Sequence, residues 1–208
     1  MIDWDSCVLW LDSRYFSESK WWDRSKYNND GTVYSAEFKE DSFYFGGNTQ
    51  YVRVNYHPKL DFWYNPFSIE TIIKTTYKSN YQGIVFHYHG KGYVLVTMKN
   101  TGKVKFTITT SGLESNSIVC DGELHHIVAT RGPAPDYDTK IYIDRELDAT
   151  GSNNQRATPN FNVDLGIGMY IEPYFGNYPF HGDIKLVRIY EKELSEDEVD
   201  LLGRAEGF

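Results

Sequence analysis

The chain has 208 residues, of which 40% are apolar and 16% aromatic, including 17 Tyr, and it carries a formal net charge of −8. That length suits one domain of sandwich or barrel size, residues 1–208, and the apolar content is too high for a disordered chain. The acidic balance excludes nucleic acid as the main partner, because a phosphate chain repels it, and it suits calcium or a neutral polysaccharide.

From the N-terminus, "MIDWDSCVLW" has neither the basic segment nor the long apolar run of a signal peptide. No apolar stretch anywhere approaches the ~20 residues needed to span a bilayer. Cys7 and Cys120 form no Cys-x-x-Cys pair and are expected as free thiols. The segment "WWDRSKYNNDGTV" (21–33) then crowds Asp23, Asn28, Asn29, Asp30 and Gly31 into one loop. Such residues either bond their own backbone or offer oxygens to a calcium ion, which takes six to eight of them. Neighbours on an extended chain face opposite sides, so Trp21 and Trp22 are expected to point one inward and one outward.

Beyond this loop the dominant period is two. Strands are expected at 42–47, 51–56, 68–77, 83–90, 93–99, 103–110, 125–131, 140–146, 163–170 and 183–190, where β-branched and aromatic residues alternate with polar ones. "HGKG" (89–92) and "KNTGK" (99–103) read as hairpin turns, and "RGPAPDYDTK" (131–140) as a longer hairpin loop. One helix is expected at "LSEDEVDLL" (194–202), where Ser195 and Glu198 have capping-box spacing and acids crowd the first turn. Many short strands without intervening helices predict an all-β fold: a two-sheet antiparallel jelly-roll β-sandwich with a short C-terminal helix.

Four stretches in order extend this reading: "VLWLD" (8–12) with "DRSKYNNDGTV" (23–33); "FYFGGNTQYVRV" (43–54) with "FSIETIIKT" (67–75); "DGELHHIVATR" (121–131) with "KIYIDREL" (140–147); and "LGIGMY…PFHGDIKLVRIYEKELSEDEV" (165–199). Together they resemble the concanavalin A-like lectin/glucanase superfamily, in particular its laminin-G-like (pentraxin-like) jelly-roll modules. Departures from the pattern are Lys26 and Arg145 in place of glycines, Leu124 in place of a Trp, and Lys185-Leu186 in place of an acidic pair. The resemblance implies an extracellular, cell-surface or virion-associated setting. It also implies calcium as a candidate cofactor, held by Asp23, Asn28 and Asp30 with Asp183 reaching in from the last strand. The fold alone does not decide function, because it hosts lectins, hydrolases, lyases and structural modules.

Sugars stack their C–H faces on flat rings, so Trp63, Tyr88, Tyr170, Tyr174, Phe175 and Tyr178 are the candidate glycan contacts. The aromatic-rich "YIEPYFGNYPF" (170–180) is the richest stretch. No strand carries the paired carboxylates of a glycosidase; Glu70 stands alone on its strand. His87 and His89 share a strand face, where a surface or cross-strand pairing accounts for them better than a metal site. The function expected is non-catalytic binding of a polysaccharide or glycoconjugate. The alternatives are a structural or adhesive module of a virus, phage or surface assembly, with homo-oligomer or particle formation, and a glycan-cleaving hydrolase or lyase.

Overall fold

The computed structural model describes residues 1–17, 19–171 and 178–208. Among them run sixteen strands: β1 (Cys7–Ser17), β2 (Lys20–Asp23), β3 (Gly31–Tyr34), β4 (Glu37–Lys39), β5 (Ser42–Gly46), β6 (Tyr51–Val54), β7 (Phe67–Lys74), β8 (Gln82–His89), β9 (Lys91–Thr97), β10 (Lys103–Ile108), β11 (Ser111–Ile118), β12 (Leu124–Arg131), β13 (Asp138–Ile143), β14 (Glu146–Ser152), β15 (Leu165–Ile167) and β16 (His181–Tyr190). One α-helix, α1 (Glu196–Glu206), follows them. No helix among the described residues is long and apolar enough to cross a membrane.

The strands pair antiparallel in the order β11-β10-β9-β8-β15-β6-β3-β2-β1-β16-β7-β12-β13-β14, with β5 on β16 and β4 on β5. This ladder folds over on itself, so that Phe67 of β7 meets Tyr93 of β9 and Phe106 of β10, with ring centroids 5.0 and 5.7 Å apart. The inner faces form one apolar core that includes Trp21, Phe45, Val85, Ile127 and Ile189. Its outermost strands meet through Asp148 on β14, whose carboxylate accepts the main-chain N–H groups of Asn116 and Ser117 on β11. The result is the predicted jelly-roll sandwich, with β11 and β14 joined by Asp148 and by the side chains of Asn116 and Asn153, which donate to Asp148 O and Ser111 O.

Both thiols are buried and unpaired. Trp21 is sealed in the core, whereas Trp22 is exposed and donates its indole N–H to Ser17. The helix keeps the predicted cap, with Ser195 Oγ accepting from Glu198 N and the Glu198 carboxylate accepting from Ser195 N. It runs past residue 202 because Gly203 fits where a side chain would not: a Cβ there would come within 2.4 Å of Arg145 Cγ. Arg145, one of the departures from the family pattern, thereby has a use. It holds a left-handed turn (φ 76°) between β13 and β14 and donates to Asp200 of α1 at 3.1 Å.

Candidate functional site

Helix α1 covers part of one outer face of the sandwich. Val199 and Leu202 pack with Cys7, Val128, Tyr142, Tyr190 and Leu194. Beneath them lies a sealed polar cluster. Glu70 Oε1 accepts from Arg188 Nη1 at 3.0 Å and faces His126 Nε2 at 3.1 Å, while Oε2 accepts from Tyr190 Oη at 2.7 Å. Arg188 also donates to Glu206 at 2.7 Å. Burial alone would raise the Glu70 pKa, but the Arg188 charge and the hydrogen bonds from His126 and Tyr190 outweigh it and bring it to about 2. Glu70 has no exposed surface, so this lone strand carboxylate cannot touch a sugar.

Where the helix ends, the same side of the sandwich carries a cleft of about 460 Å³, lined in part by Lys39, Asp41, Tyr44, Lys74, Asp183 and Lys185. Its charges largely answer one another: Lys185 binds Asp41, and Asp183 accepts from Ser42 Oγ at 3.2 Å. Burial raises the Asp183 pKa. Asp183 therefore sits in this cleft and not with the residue 21–33 loop, as the acidic set proposed from sequence required. Asp23, Asp30 and Asp183 do not converge, and no group of three or more His, Cys, Asp or Glu among the described residues is arranged to hold a metal ion. Within the loop, both Asp23 oxygens are in use. Oδ1 accepts from Trp10 N and Ser25 N at 2.8 and 2.9 Å, and Oδ2 from Ser25 Oγ and Asn29 N at 2.6 and 2.7 Å. Asp30 Oδ1 accepts from Asp23 N at 3.0 Å, and Asn28 takes a left-handed φ of 56° on the exposed side of the turn.

The outer face of β8 and β9 is different in kind. Here Phe86, Val96 and Tyr170 form a small apolar layer outside the sandwich core, with Tyr88, Val94 and Met98 against it. The rings connect in a line along β8. Tyr81 meets Tyr178 edge-on at 5.9 Å, Tyr178 lies parallel to Phe86 at 6.0 Å, Phe86 stacks on Tyr170 at 5.0 Å, and Tyr170 meets Tyr88 at 6.5 Å. Gly83 makes this layer possible. A Cβ there would stand 2.1 Å from the Phe86 ring, so only glycine lets that ring lie over the strand backbone. Tyr178 is 38% exposed and Tyr88 half-buried. Tyr170, expected from sequence as a surface contact, is 3% exposed: its ring is the floor on which the others rest. Tyr174 and Phe175 lie outside the described residues.

At the far end of β8 the line turns onto the rim of the sandwich. Asn160 N donates to His89 O at 3.1 Å, and Phe161 meets the His89 ring at 4.9 Å. Arg156 Nη2 donates to Asn160 Oδ1 at 2.8 Å, and its guanidinium lies 5.1 Å from the centre of the Trp63 ring. Trp63 is 51% exposed. Its backbone is fixed on every side: N–H to Thr158 Oγ1 at 2.7 Å, and C=O from Ala157 N at 2.7 Å and Arg131 Nη2 at 3.2 Å. Arg131 is fully buried and also donates to Asn65 O and Gln155 O. Burial brings its pKa down to about 10. Behind the turn, Asp61 bonds His87 Nε2 and Tyr56 Oη, each at 3.0 Å, so His87 is committed to structure. Sequence reasoning singled out Trp63, Tyr88 and Tyr178, but not Arg156, Asn160, Phe161 or the supporting Arg131. Arg156, Asn160 and Phe161 lie in a loop with no periodic signal, and Arg131 ends β12, where nothing local marks its reach to the Trp63 turn.

A family model described as the concanavalin A-like lectin/glucanases superfamily matches residues 45–200. No curated protein sequence matches the chain. Among solved structures, the chain is similar to the binding domain of Paraclostridial Mosquitocidal Protein 1, at 17% identity and a TM-score of 0.76, over 98% of this chain and 53% of that one. It is also similar to botulinum neurotoxin type C, which depends on interaction with two ganglioside molecules to enter cells (17% identity, TM-score 0.75, 99% and 52% coverage). A third is the binding domain of botulinum neurotoxin DC in complex with rat synaptotagmin II (16%, 0.72, 99% and 52%). At these identities the likeness shows the fold, and the chain spans about half the length of the solved structures it matches.

Proposed function

Because the chain belongs to the concanavalin A-like lectin/glucanases superfamily, we propose that it is a non-catalytic module that binds a glycan along the aromatic face of β8. One observation carries the proposal: the line of rings from Tyr81 through Tyr178 and Phe86 to Tyr88, built outside the core on a floor of its own. The inward faces already hold the sandwich together, so these rings add little that folding requires. A strand the length of β8 spans roughly 25 Å, room for several sugar residues. Rings with polar tips suit such a ligand, since the flat face meets C–H groups and the hydroxyl meets sugar hydroxyls. That relatives in fold include a ganglioside-dependent toxin and one solved with synaptotagmin II supports a binding role; the ligand is inferred here from this chain's own surface.

The experiment is a glycan array followed by calorimetric titration of the best oligosaccharide. Tyr178→Ala should weaken binding about tenfold, the loss of one stacked aromatic contact. Failure of every glycan to bind, or an unchanged affinity in both Tyr178→Ala and Tyr88→Ala, would remove this reading. Turnover of a bound glycan would replace it with the enzymatic one.

A further inference from the structure

The rim beyond Tyr88 is a second subsite, and we infer that it takes the carboxylate-bearing residue of an acidic glycan, a uronate or a sialate. The inference rests on the glycan-binding reading above and deepens it.

Three features of the rim converge. First, Trp63 holds a left-handed backbone, φ 49°, which a large side chain adopts only where its surroundings impose it. Those surroundings are a clamp made of Thr158, Ala157 and Arg131. The buried Arg131 spends its guanidinium on the carbonyls of Trp63, Asn65 and Gln155, tying the turn at 63–65 to the loop at 153–158. The conformation turns a half-exposed indole outward on a rigid base, the preorganisation that a stacking platform needs.

Second, Arg156 is a cation with a vacancy in its pairing. Most of the other arginines have carboxylate partners: Arg14 has Asp12, Arg53 has Asp164, Arg145 and Arg204 share Asp200, and Arg188 has Glu70 and Glu206, while the buried Arg131 is spent on main-chain carbonyls and Arg24 lies over Tyr15. Arg156 has instead the neutral oxygens of Asn160 and Pro159 and the Trp63 ring, and no ion pair among the described residues. A guanidinium presents a planar fork matched to a carboxylate, and such charge-assisted pairs are the strong ones.

Third, the neighbours suit the rest of a sugar. The Asn160 amide beside Arg156 can meet hydroxyls, and Phe161, 66% exposed, extends the apolar wall next to His89. A sugar ring on Trp63 with its carboxylate on Arg156 uses all of these at once. The rim also continues the ring line of β8, so an acidic residue here and neutral residues along Tyr88 and Tyr178 belong to one ligand.

The test is titration of the full chain with two matched pairs: oligogalacturonate against its methyl ester, and sialyllactose against lactose. At least one acid should bind about tenfold or more tightly than its neutral partner, the worth of a charge-assisted hydrogen bond. That preference should shrink as salt rises. Arg156→Gln should bring acid and neutral ligands to equal affinity while neutral binding, carried by Tyr178, persists. Equal affinities in the wild-type chain, a preference indifferent to salt, or a preference that survives in Arg156→Gln would overturn the inference while leaving the broader reading intact. A sulfated oligosaccharide preferred over both acids would likewise overturn it. If no saccharide of either kind binds, both fall together. The salt dependence is measured on wild-type protein, so the test stands even if Arg156→Gln folds poorly.

Discussion

The two outer faces of this sandwich are built from the same kind of strand and finished in opposite ways. Over β7, β12 and β16 the outward face sets polar and charged groups among apolar ones such as Val128, and α1 closes down on them, so that Glu70, Arg188, His126 and Tyr190 answer one another out of reach of water. Over β8 and β9 the outward residues are aromatic on one strand and aliphatic on the other, and Tyr178 and Tyr81, with Trp63 on the rim, remain in contact with solvent. Buried charge survives only when fully paired, so the first face has been spent on structure. Exposed rings need no such pairing, so the second is free to meet a ligand. The apparent chemistry, a strand Glu with a His and an Arg, thus lies on the face that cannot act. The proposed binding surface lies instead among aromatic side chains, with Arg156 at its rim.

The sharpest way to break the comparison is to unpair the closed face. Arg188→Met strands Glu70 in an apolar interior, and loss of one partner of a buried pair costs about 3–5 kcal/mol. Urea denaturation should register that full loss, with glycan affinity unchanged in the protein that stays folded. A loss below about 1 kcal/mol would mean the pair is solvated and the face is not closed. The pH profile tests the same cluster. The folded Glu70 pKa, about 2, lies below the ordinary carboxylate value of 4.5, so the stability it contributes is fully present above about pH 4.5 and is lost as pH falls towards 2. Glu70→Gln should be less stable at pH 7 and flatter between pH 4.5 and 2 than the wild type.

Asp23→Ala comes next. It leaves the main-chain N–H groups of Trp10, Ser25 and Asn29 without their acceptor, at a cost of about 2–3 kcal/mol in the same assay. On the open face the stability effect should be the smallest of the substitutions. Tyr178→Ala should move unfolding by no more than about 0.5 kcal/mol, as surface changes do, while weakening glycan binding. A large stability loss there would recast the aromatic layer as a second core.

Much of the sandwich was legible because period-two alternation reports which side of a strand is buried. β5, β6 and β10 alternate cleanly. Six strands escaped that signal, β1 to β4 before residue 40 and two polar ones later in the chain. β11, "SGLESNSI", is exposed along nearly its whole length, and β14, "ELDATGS", is an equally polar edge that turns back after β13, where the strand expected at 140–146 covers only β13, the turn and Glu146. Their placement depends on Asp148 joining one to the other, a contact that no local pattern encodes. The predicted strand at 163–170 contracts to β15, Leu165–Ile167, between β6 and β8. For the sites, residue type could mark an aromatic as a ligand contact but could not say which side of the loop it would face. Tyr170 went to the floor and Tyr178 to the top for that reason. Trp63 was visible as a residue, but its presentation depends on Arg131, 68 positions away.

The smallest expected effect concerns the loop at residues 21–33, where two uses of the same carboxylates compete. A calcium ion needs six to eight oxygens, and carboxylates already accepting N–H groups must release them to serve. Asp23 accepts four hydrogen bonds, and Asp30 accepts one from Asp23 N and pairs with Lys20. The third acid, Asp183, stands in another cleft beside Ser42. Binding would therefore dismantle the turn that fixes β1 against β2, and the gain would have to exceed the bonds given up. A ligand specific to the folded state at a hundredfold excess over its Kd contributes about 2.7 kcal/mol, several degrees in melting temperature for a domain this size. Millimolar calcium and EDTA should instead give melting temperatures within about one degree of each other. Asp30→Ala should be as indifferent to calcium as the wild type. A calcium-dependent rise of several degrees that Asp30→Ala abolishes would show that the loop reorganises around the ion. The self-bonded turn seen here would then be the form it leaves behind.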